Sequence, residues 1–189
     1  MKRALALCLF ACLIHVAHAQ TSNKPEAVAP YAATLTVVVD AMLKLADVGP
    51  NDFVIDLGSG DGRIVIAAVT RFKARGGFGV DIEPTLVKYS NDTAAQAGIA
   101  DRVAFREQDL FKTDVGEATV VTVYLLPGAM PRLEQKLLAE LKPGTRVVVQ
   151  DYPFPTWRAE RVIELKTPDK ETSAGLPYAA LYLYKVPPH

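Results

Sequence analysis

Cysteine, histidine and tryptophan are scarce in this chain of 189 residues, which holds two, three and one of them. Cys8, Cys12, His15 and His18 all fall within the first twenty residues, and His189 is the last residue. Beyond residue 20 this excludes a Cys/His zinc site, a cysteine nucleophile and a disulfide framework. A Ser-His-Asp triad would have to recruit the terminal residue. A charge of one sign is also missing, with 21 basic against 21 acidic side chains. The basic excess typical of nucleic-acid binding is therefore absent, and no nucleic-acid partner is expected. No metal site is expected either. Chemistry is left to carboxylates, hydroxyls, lysines, backbone groups or a bound cofactor.

The first residues have a different character. Lys2 and Arg3 precede the apolar stretch Ala4 to Val16, and Ala17-His18-Ala19 supplies small residues where a leader peptidase cuts. That layout predicts a signal peptide over 1–19 and an exported protein, periplasmic or secreted. The alternative is a leader that stays attached as a membrane anchor. Ala4 to Ala19 is 16 residues, short of the ~20 that a spanning helix needs. Removing the leader takes Lys2 and Arg3 with it, so 19 basic side chains then face 21 acidic ones. Residues 20–30 are polar, carry two prolines and read as a tether.

From residue 31 onward, apolar runs and helical patterns alternate. Thr34 to Val48 has apolar residues at helical spacing and ends at Gly49-Pro50. Strands are expected at Phe53–Leu57, Gly79–Ile82, Val103–Arg106, Thr119–Leu125 and Thr145–Gln150. Helices are expected between them at Arg63–Ala74, Pro84–Ala97 and Met130–Leu141. This order implies a doubly wound, Rossmann-like α/β fold with a mostly parallel sheet. Arg161–Lys166 and Ala179–Val186 break the alternation and predict a C-terminal antiparallel hairpin.

Between the first strand and its helix lies Asp56-Leu57-Gly58-Ser59-Gly60-Asp61-Gly62. Glycines there let the backbone approach a ligand closely, and loops at the carboxyl ends of such strands form the ligand crevice. A phosphate-binding P-loop needs Gly-Lys-Ser/Thr, which Gly62-Arg63-Ile64 does not supply. A dinucleotide site wants Gly-x-Gly-x-x-Gly, whereas the spacing here is Gly-x-Gly-x-Gly. The third reading is S-adenosylmethionine: the pattern Asp-x-Gly-x-Gly-x-Gly resembles the one that class I methyltransferases carry for it. Asp56 would face the cationic amino group of its methionine moiety, or a water bound to it, and beside a pyrophosphate it would be repelled. Asp81 ends the second strand, followed by Ile82, where a carboxylate can accept from ribose hydroxyls. Asp109, followed by Leu110, ends the third strand, where an acid can accept from an adenine amino group. As ordinary structure, Asp81 would be a strand-end cap and Asp109 a turn former or N-cap.

With these motifs the chain resembles the class I, seven-strand S-adenosylmethionine-dependent methyltransferases. Within that class it is most similar to the lysine methyltransferases of the ATP synthase c-subunit and the adenine nucleotide translocase, with their bacterial relatives. The residues that carry the resemblance are Val54 to Val65, Tyr124-Leu125-Leu126-Pro127, Leu133-Glu134-Gln135-Lys136-Leu137 and Tyr152-Pro153-Phe154-Pro155-Thr156-Trp157. It spans residues 31–189 and accounts for the hairpin as strands six and seven. It implies S-adenosylmethionine as cofactor and a protein lysine as methyl acceptor. Gly58, Ser59, Gly60, Asp61 and Gly62 would join Asp56, Asp81, Ile82, Asp109 and Leu110 around the cofactor. Leu125, Leu126, Pro127, Phe154, Pro155 and Trp157 would line an apolar channel for the amine, with Tyr31 and Asp151 orienting it; as ordinary structure, Phe154 and Trp157 would be core, Tyr31 the entry to an amphipathic helix and Asp151 a surface turn residue. The competing reading is an exported, non-catalytic protein that keeps a nucleoside or small-ligand crevice on the same fold.

Overall fold

A computed structural model of the chain describes residues 32–167 and 178–188. The expected leader and tether, and Tyr31, lie outside the described residues. In chain order, α1 (Thr36–Leu45) is followed by β1 (Phe53–Leu57), α2 (Arg63–Thr70), β2 (Gly76–Asp81), α3 (Pro84–Gln96), β3 (Val103–Glu107), β4 (Val120–Val123), α4 (Met130–Glu140), β5 (Arg146–Gln150), β6 (Arg161–Lys166) and β7 (Tyr178–Lys185). The strands make one sheet in the order β3-β2-β1-β4-β5-β7-β6. β1 to β5 are parallel, while β7 runs antiparallel to both β5 and β6. This is the Rossmann-like, seven-stranded sheet with an antiparallel end that the alternation implied.

The hairpin enters the sheet by its second strand. β7 reads Tyr-Ala-Ala-Leu-Tyr-Leu-Tyr-Lys and is buried along most of its length. β6 carries Arg161, Glu164 and Lys166 and is largely exposed. The apolar strand therefore takes the interior position between β5 and β6. The charged one forms the edge, where charge discourages pairing with another chain.

Side chains alternate between two apolar layers. Val54, Val120, Val148 and Leu181 join the buried residues of α1, α2 and α3. Ile55, Val121, Val147 and Val149 join Met130, Leu133 and Leu137 of α4. β2 begins three residues earlier than the apolar pattern predicts, because Gly76 and Gly77 belong to it. A side chain at Gly77 would overlap the Val54 carbonyl oxygen and press on Val65 at 3.0 Å. The glycine that lowers strand propensity is what lets α2 lie against β2.

Candidate active site

The parallel strands β1, β2, β4 and β5 end on the same edge of the sheet, and the residues singled out in the sequence collect there. The turn after β1 has Gly58, Gly60 and Gly62 at φ of 87°, 52° and 79°. This left-handed region is open to glycine and strained for other residues. A Cβ at Gly58 would stand 3.0 Å from Leu125 Cδ2, so the loop and the end of β4 nearly touch. Gly62 caps α2 and rests under Phe105, whose Cζ would lie 2.5 Å from an added Cβ.

Four of the loop's own N–H groups are already engaged. Those of Gly58 and Ser59 donate to the Val80 carbonyl, each at 2.9 Å, and that of Gly62 donates to the Ser59 carbonyl at 2.9 Å. The Gly60 N–H donates to Asp81 Oδ2 at 2.8 Å, while the Ser90 hydroxyl donates to the Gly60 carbonyl at 2.9 Å. A phosphate cradle works by offering free N–H groups to an anion. Four of these are committed, and three acids surround the loop. The geometry disfavours a pyrophosphate here.

Asp56 is 2 % exposed and has no cationic partner among the described residues. The Thr122 hydroxyl donates to its Oδ1 at 2.7 Å. Burial pushes its carboxyl up from 3.8 to about 7; the Thr122 hydrogen bond opposes the shift, and the charges of Asp81 and Asp61 add to it. A buried carboxylate without a paired cation is costly, so it suits a cation that comes with a ligand. Ser59 Oγ is also buried without a hydrogen-bond partner, with its side chain seated against Gly79 of β2. Ser59 thus faces the sheet, and its backbone is the part left at the loop.

Asp81 combines the strand-end role with the site: Oδ2 takes the Gly60 N–H, and Oδ1 accepts from Glu83 N at 3.0 Å. Asp109 Oδ1 accepts from Phe111 N at 2.8 Å, capping a 3-10 turn at Leu110–Lys112 in which Leu110 is buried. The carboxylate of Asp61 is bound by the guanidinium of Arg63, through Nε at 2.8 and 3.0 Å and through Nη2. Arg63 Nη1 also donates to the Thr34 carbonyl at 2.7 Å. The Thr34 hydroxyl donates to Gln150 Oε1 at 3.1 Å, and Gln150 Nε2 donates to Asp151 Oδ2 at 3.2 Å. A polar chain thereby runs from the glycine loop, across the segment ahead of α1, to the end of β5.

Asp151 has φ 62°, a conformation that aspartate tolerates better than most residues. Its Oδ1 accepts from Ala180 N at 3.1 Å, and its own N–H donates to the Ala180 carbonyl at 2.8 Å. The proposed amine-orienting carboxylate thus fastens β7 to the end of β5. For Phe154 the core alternative holds. It is 4 % exposed, packed against Trp157 at 5.5 Å and Tyr184 at 4.9 Å between ring centroids. The Phe154 N–H donates to the Tyr184 hydroxyl at 3.0 Å. Buried Glu134 binds Thr156 through its N–H at 3.2 Å and through its hydroxyl. Phe154 is core, not channel wall, and Trp157 stacks on it half-buried. Leu125 is buried against Gly58, whereas Leu126, Pro127 and Pro155 are exposed at the rim.

Thr34, Arg63, Thr122, Glu134 and Gln150 were not singled out as site residues from the sequence. The available signal was polarity out of place: Thr122 interrupts a valine strand, and Gln150 ends another.

Comparison with known proteins yields consistent neighbours. A profile of the ANTKMT methyltransferase domain matches residues 56–161. A protein-lysine N-methyltransferase of Saccharolobus islandicus is 36 % identical over 160 residues, which is 85 % of this chain and 95 % of that protein. The ATP synthase c-subunit lysine N-methyltransferase of Mus musculus is 40 % identical over 125 residues, 65 % of this chain and 45 % of that protein. The chain thus spans less than half the length of the mouse relative. A crystal structure of an RNA methyltransferase from Salinibacter ruber with S-adenosyl-L-homocysteine is 43 % identical. It superposes with a TM-score of 0.75, covering 84 % of this chain and 95 % of that one.

Proposed function

The chain belongs to the ANTKMT methyltransferase family, and from that premise we propose that it transfers a methyl group from S-adenosylmethionine to the side-chain amine of a protein lysine. The observation that carries the cofactor half is Asp56, a buried carboxylate with no cationic partner among the described residues, set beside a glycine loop with four N–H groups engaged. It suits a ligand with a cationic amino group and no phosphate. The bound cofactor would supply a methyl group on a sulfonium, already activated for displacement.

What this chain's residues do is bind, orient and exclude water. Gly58, Gly60 and Gly62 keep the loop free of side chains. Asp56 takes the amino group, Asp81 and Asp109 stand at the strand ends for the nucleoside, and Ile82 and Leu110 flank it. The acceptor must lose a proton before it attacks, and a lysine starts near pKa 10.4. Apolar surroundings favour its neutral form. Leu125, Leu126, Pro127 and Pro155, with Trp157 behind them, supply such surroundings, and Tyr31 remains the proposed orienting hydroxyl. Asp151 orients the amine only if it releases the backbone it holds. The lysine half rests on the names of the relatives, and the protein partner on the same ground. The leader pattern of residues 1–19 supports export, with membrane contact confined to an uncleaved leader.

One observation favours a second acceptor, RNA, namely the Salinibacter protein's description. The balanced charge of this chain weighs against it. Both are tested by titrating the full chain with S-adenosylmethionine, S-adenosylhomocysteine and NADH, then following labelled methyl into protein and RNA fractions of a lysate. Binding of the adenosyl compounds alone, with label in protein lysine, is the expected result. Label in RNA would move the acceptor, and absence of label with binding intact would favour the non-catalytic crevice. Gly58→Arg should abolish binding while the chain stays folded; unaltered affinity in that variant removes the cofactor from this loop.

A further inference from the structure

Asp56 and Thr122 are register partners on adjacent strands, β1 and β4. Both are buried, Thr122 completely, and the threonine stands alone among Val120, Val121 and Val123. Valine would fill the same space without a hydroxyl to satisfy, and a buried hydroxyl is costly unless bonded. This one is bonded once, to Asp56 Oδ1 at 2.7 Å.

We propose that Thr122 is a positioning residue of the cofactor site: its hydroxyl fixes one oxygen of Asp56 against β4, so that the other is presented to the cofactor's amino group. The inference rests on the cofactor reading given above and adds a residue to it.

Electrostatics support the geometry. An ionised carboxylate only accepts hydrogen bonds, so the threonine must donate, and donation favours the charged form. Among the described residues, no other side chain does so for Asp56. Its sheet neighbours, Gly79 on β2 and Thr122 on β4, carry no charge. Asp81, ending β2, and Asp61, in the loop, are both acids and act against its ionisation. Arg63 of α2 is engaged by Asp61, and Asp40 of α1 pairs with Arg71 at 2.6 Å. Without the hydroxyl, Asp56 would meet the incoming ammonium more often as a neutral acid, in an unfixed rotamer.

The test is the dissociation constant of S-adenosylhomocysteine for the full chain, measured across neutral pH in the wild type, Thr122→Val, Thr122→Ala and Thr122→Ser. The valine and alanine variants should bind about 10-fold or more weakly at neutral pH, the scale of a lost hydrogen bond to a charged group. The midpoint of their pH dependence should move upward, and serine should restore both properties. Unchanged affinity and an unchanged midpoint in the valine and alanine variants would overturn the proposal. So would a fall in melting temperature with the pH profile unmoved, since that is what a packing role alone produces. Alanine serves if the valine variant does not fold. A wild type that fails to bind S-adenosylhomocysteine at all overturns the cofactor reading itself, an outcome the wild-type control separates from the rest.

Discussion

On one face of the sheet α1, α2 and α3 lie over Val54, Val120 and Val148, whereas on the other α4 is the only α-helix among the described residues. The rest of that second face is closed by side chains. Phe154, Trp157 and Tyr184 pack together at one end. Toward the other, guanidinium groups lie over phenylalanine rings: Arg75 on Phe53 at 4.8 Å, Arg106 on Phe78 at 4.3 Å and Arg132 on Phe111 at 3.9 Å. The helical face is a backbone fit, in which α2 reaches β2 only because glycines stand between them. The other face is a mosaic of separate contacts. Substitutions should therefore act in an all-or-none way on the first face and by increments on the second.

The largest effect is expected from Gly77→Val, on the helical face. Its added atoms overlap the Val54 carbonyl oxygen and crowd Val65, a backbone collision that neighbouring side chains cannot relieve. The loss should exceed about 3 kcal/mol, seen as absence of a cooperative melting transition. A normal melt would break the distinction between the faces. Next comes Phe154→Ala on the mosaic face, which removes a buried ring from the aromatic trio. It should cost about 3 kcal/mol while leaving a cooperative transition at lower denaturant concentration. Loss of all folded signal would show that this face, too, is indivisible.

Asp56→Asn sharpens the comparison by separating charge from packing on the helical face. Asp56 protonates near 3.8 when unfolded and near 7 when folded. The folded state therefore holds the proton more tightly between those values. The contribution of this group to stability falls as pH rises through the window, and the charged form is a liability above it. The asparagine variant should gain about 1–3 kcal/mol over the wild type at pH 8, with the difference vanishing near pH 4. Denaturant melts at both pH values check this, and a difference that ignores pH would assign the effect to packing. The same variant should lose cofactor affinity, a common relation between stability and function at a site. The smallest effect belongs to Arg106→Ala, about 0.5–1 kcal/mol for one exposed cation–π contact, visible only as a slight shift in midpoint. A loss as large as that of Phe154→Ala would mean the arginines form a connected cover.

Most of the framework was legible in the sequence because it depends on local patterning. The run Phe53–Leu57, the glycine loop and Pro84 at the start of α3 announce themselves within a few residues. β6 and β7 were legible as strands, and their order in the sheet follows from which is charged. What was not legible depends on partners distant in the chain. The role of Asp151 is set by Ala180 and that of Phe154 by Tyr184, while the guanidinium that binds Asp61 is tied in turn to Thr34. An aromatic or an acid near a sheet edge reads as functional when its structural partner lies thirty residues away. Among the predicted cofactor residues, position was readable from strand ends, but side-chain use was not. Asp81 and Asp109 each hold backbone N–H groups at the strand ends.

The polar chain from Arg63 through Thr34 to Gln150 has a practical bearing on handling the protein. It pins the segment ahead of α1 to the carboxyl edge of the sheet, while Arg146 Nη1, donating to the Ala46 carbonyl at 2.5 Å, marks the helix's far end at the opposite edge. β7 starts beside Asp151 and finishes with Lys185 opposite Arg146, so the last described residues emerge at that opposite edge too. The two ends of the described chain thus leave from opposite poles of the domain. A fluorophore, affinity handle or surface linkage placed ahead of residue 32 is delivered to the rim where ligands would enter. The same attachment beyond Val186 leaves that rim clear, and it is the orientation to choose for immobilised binding measurements.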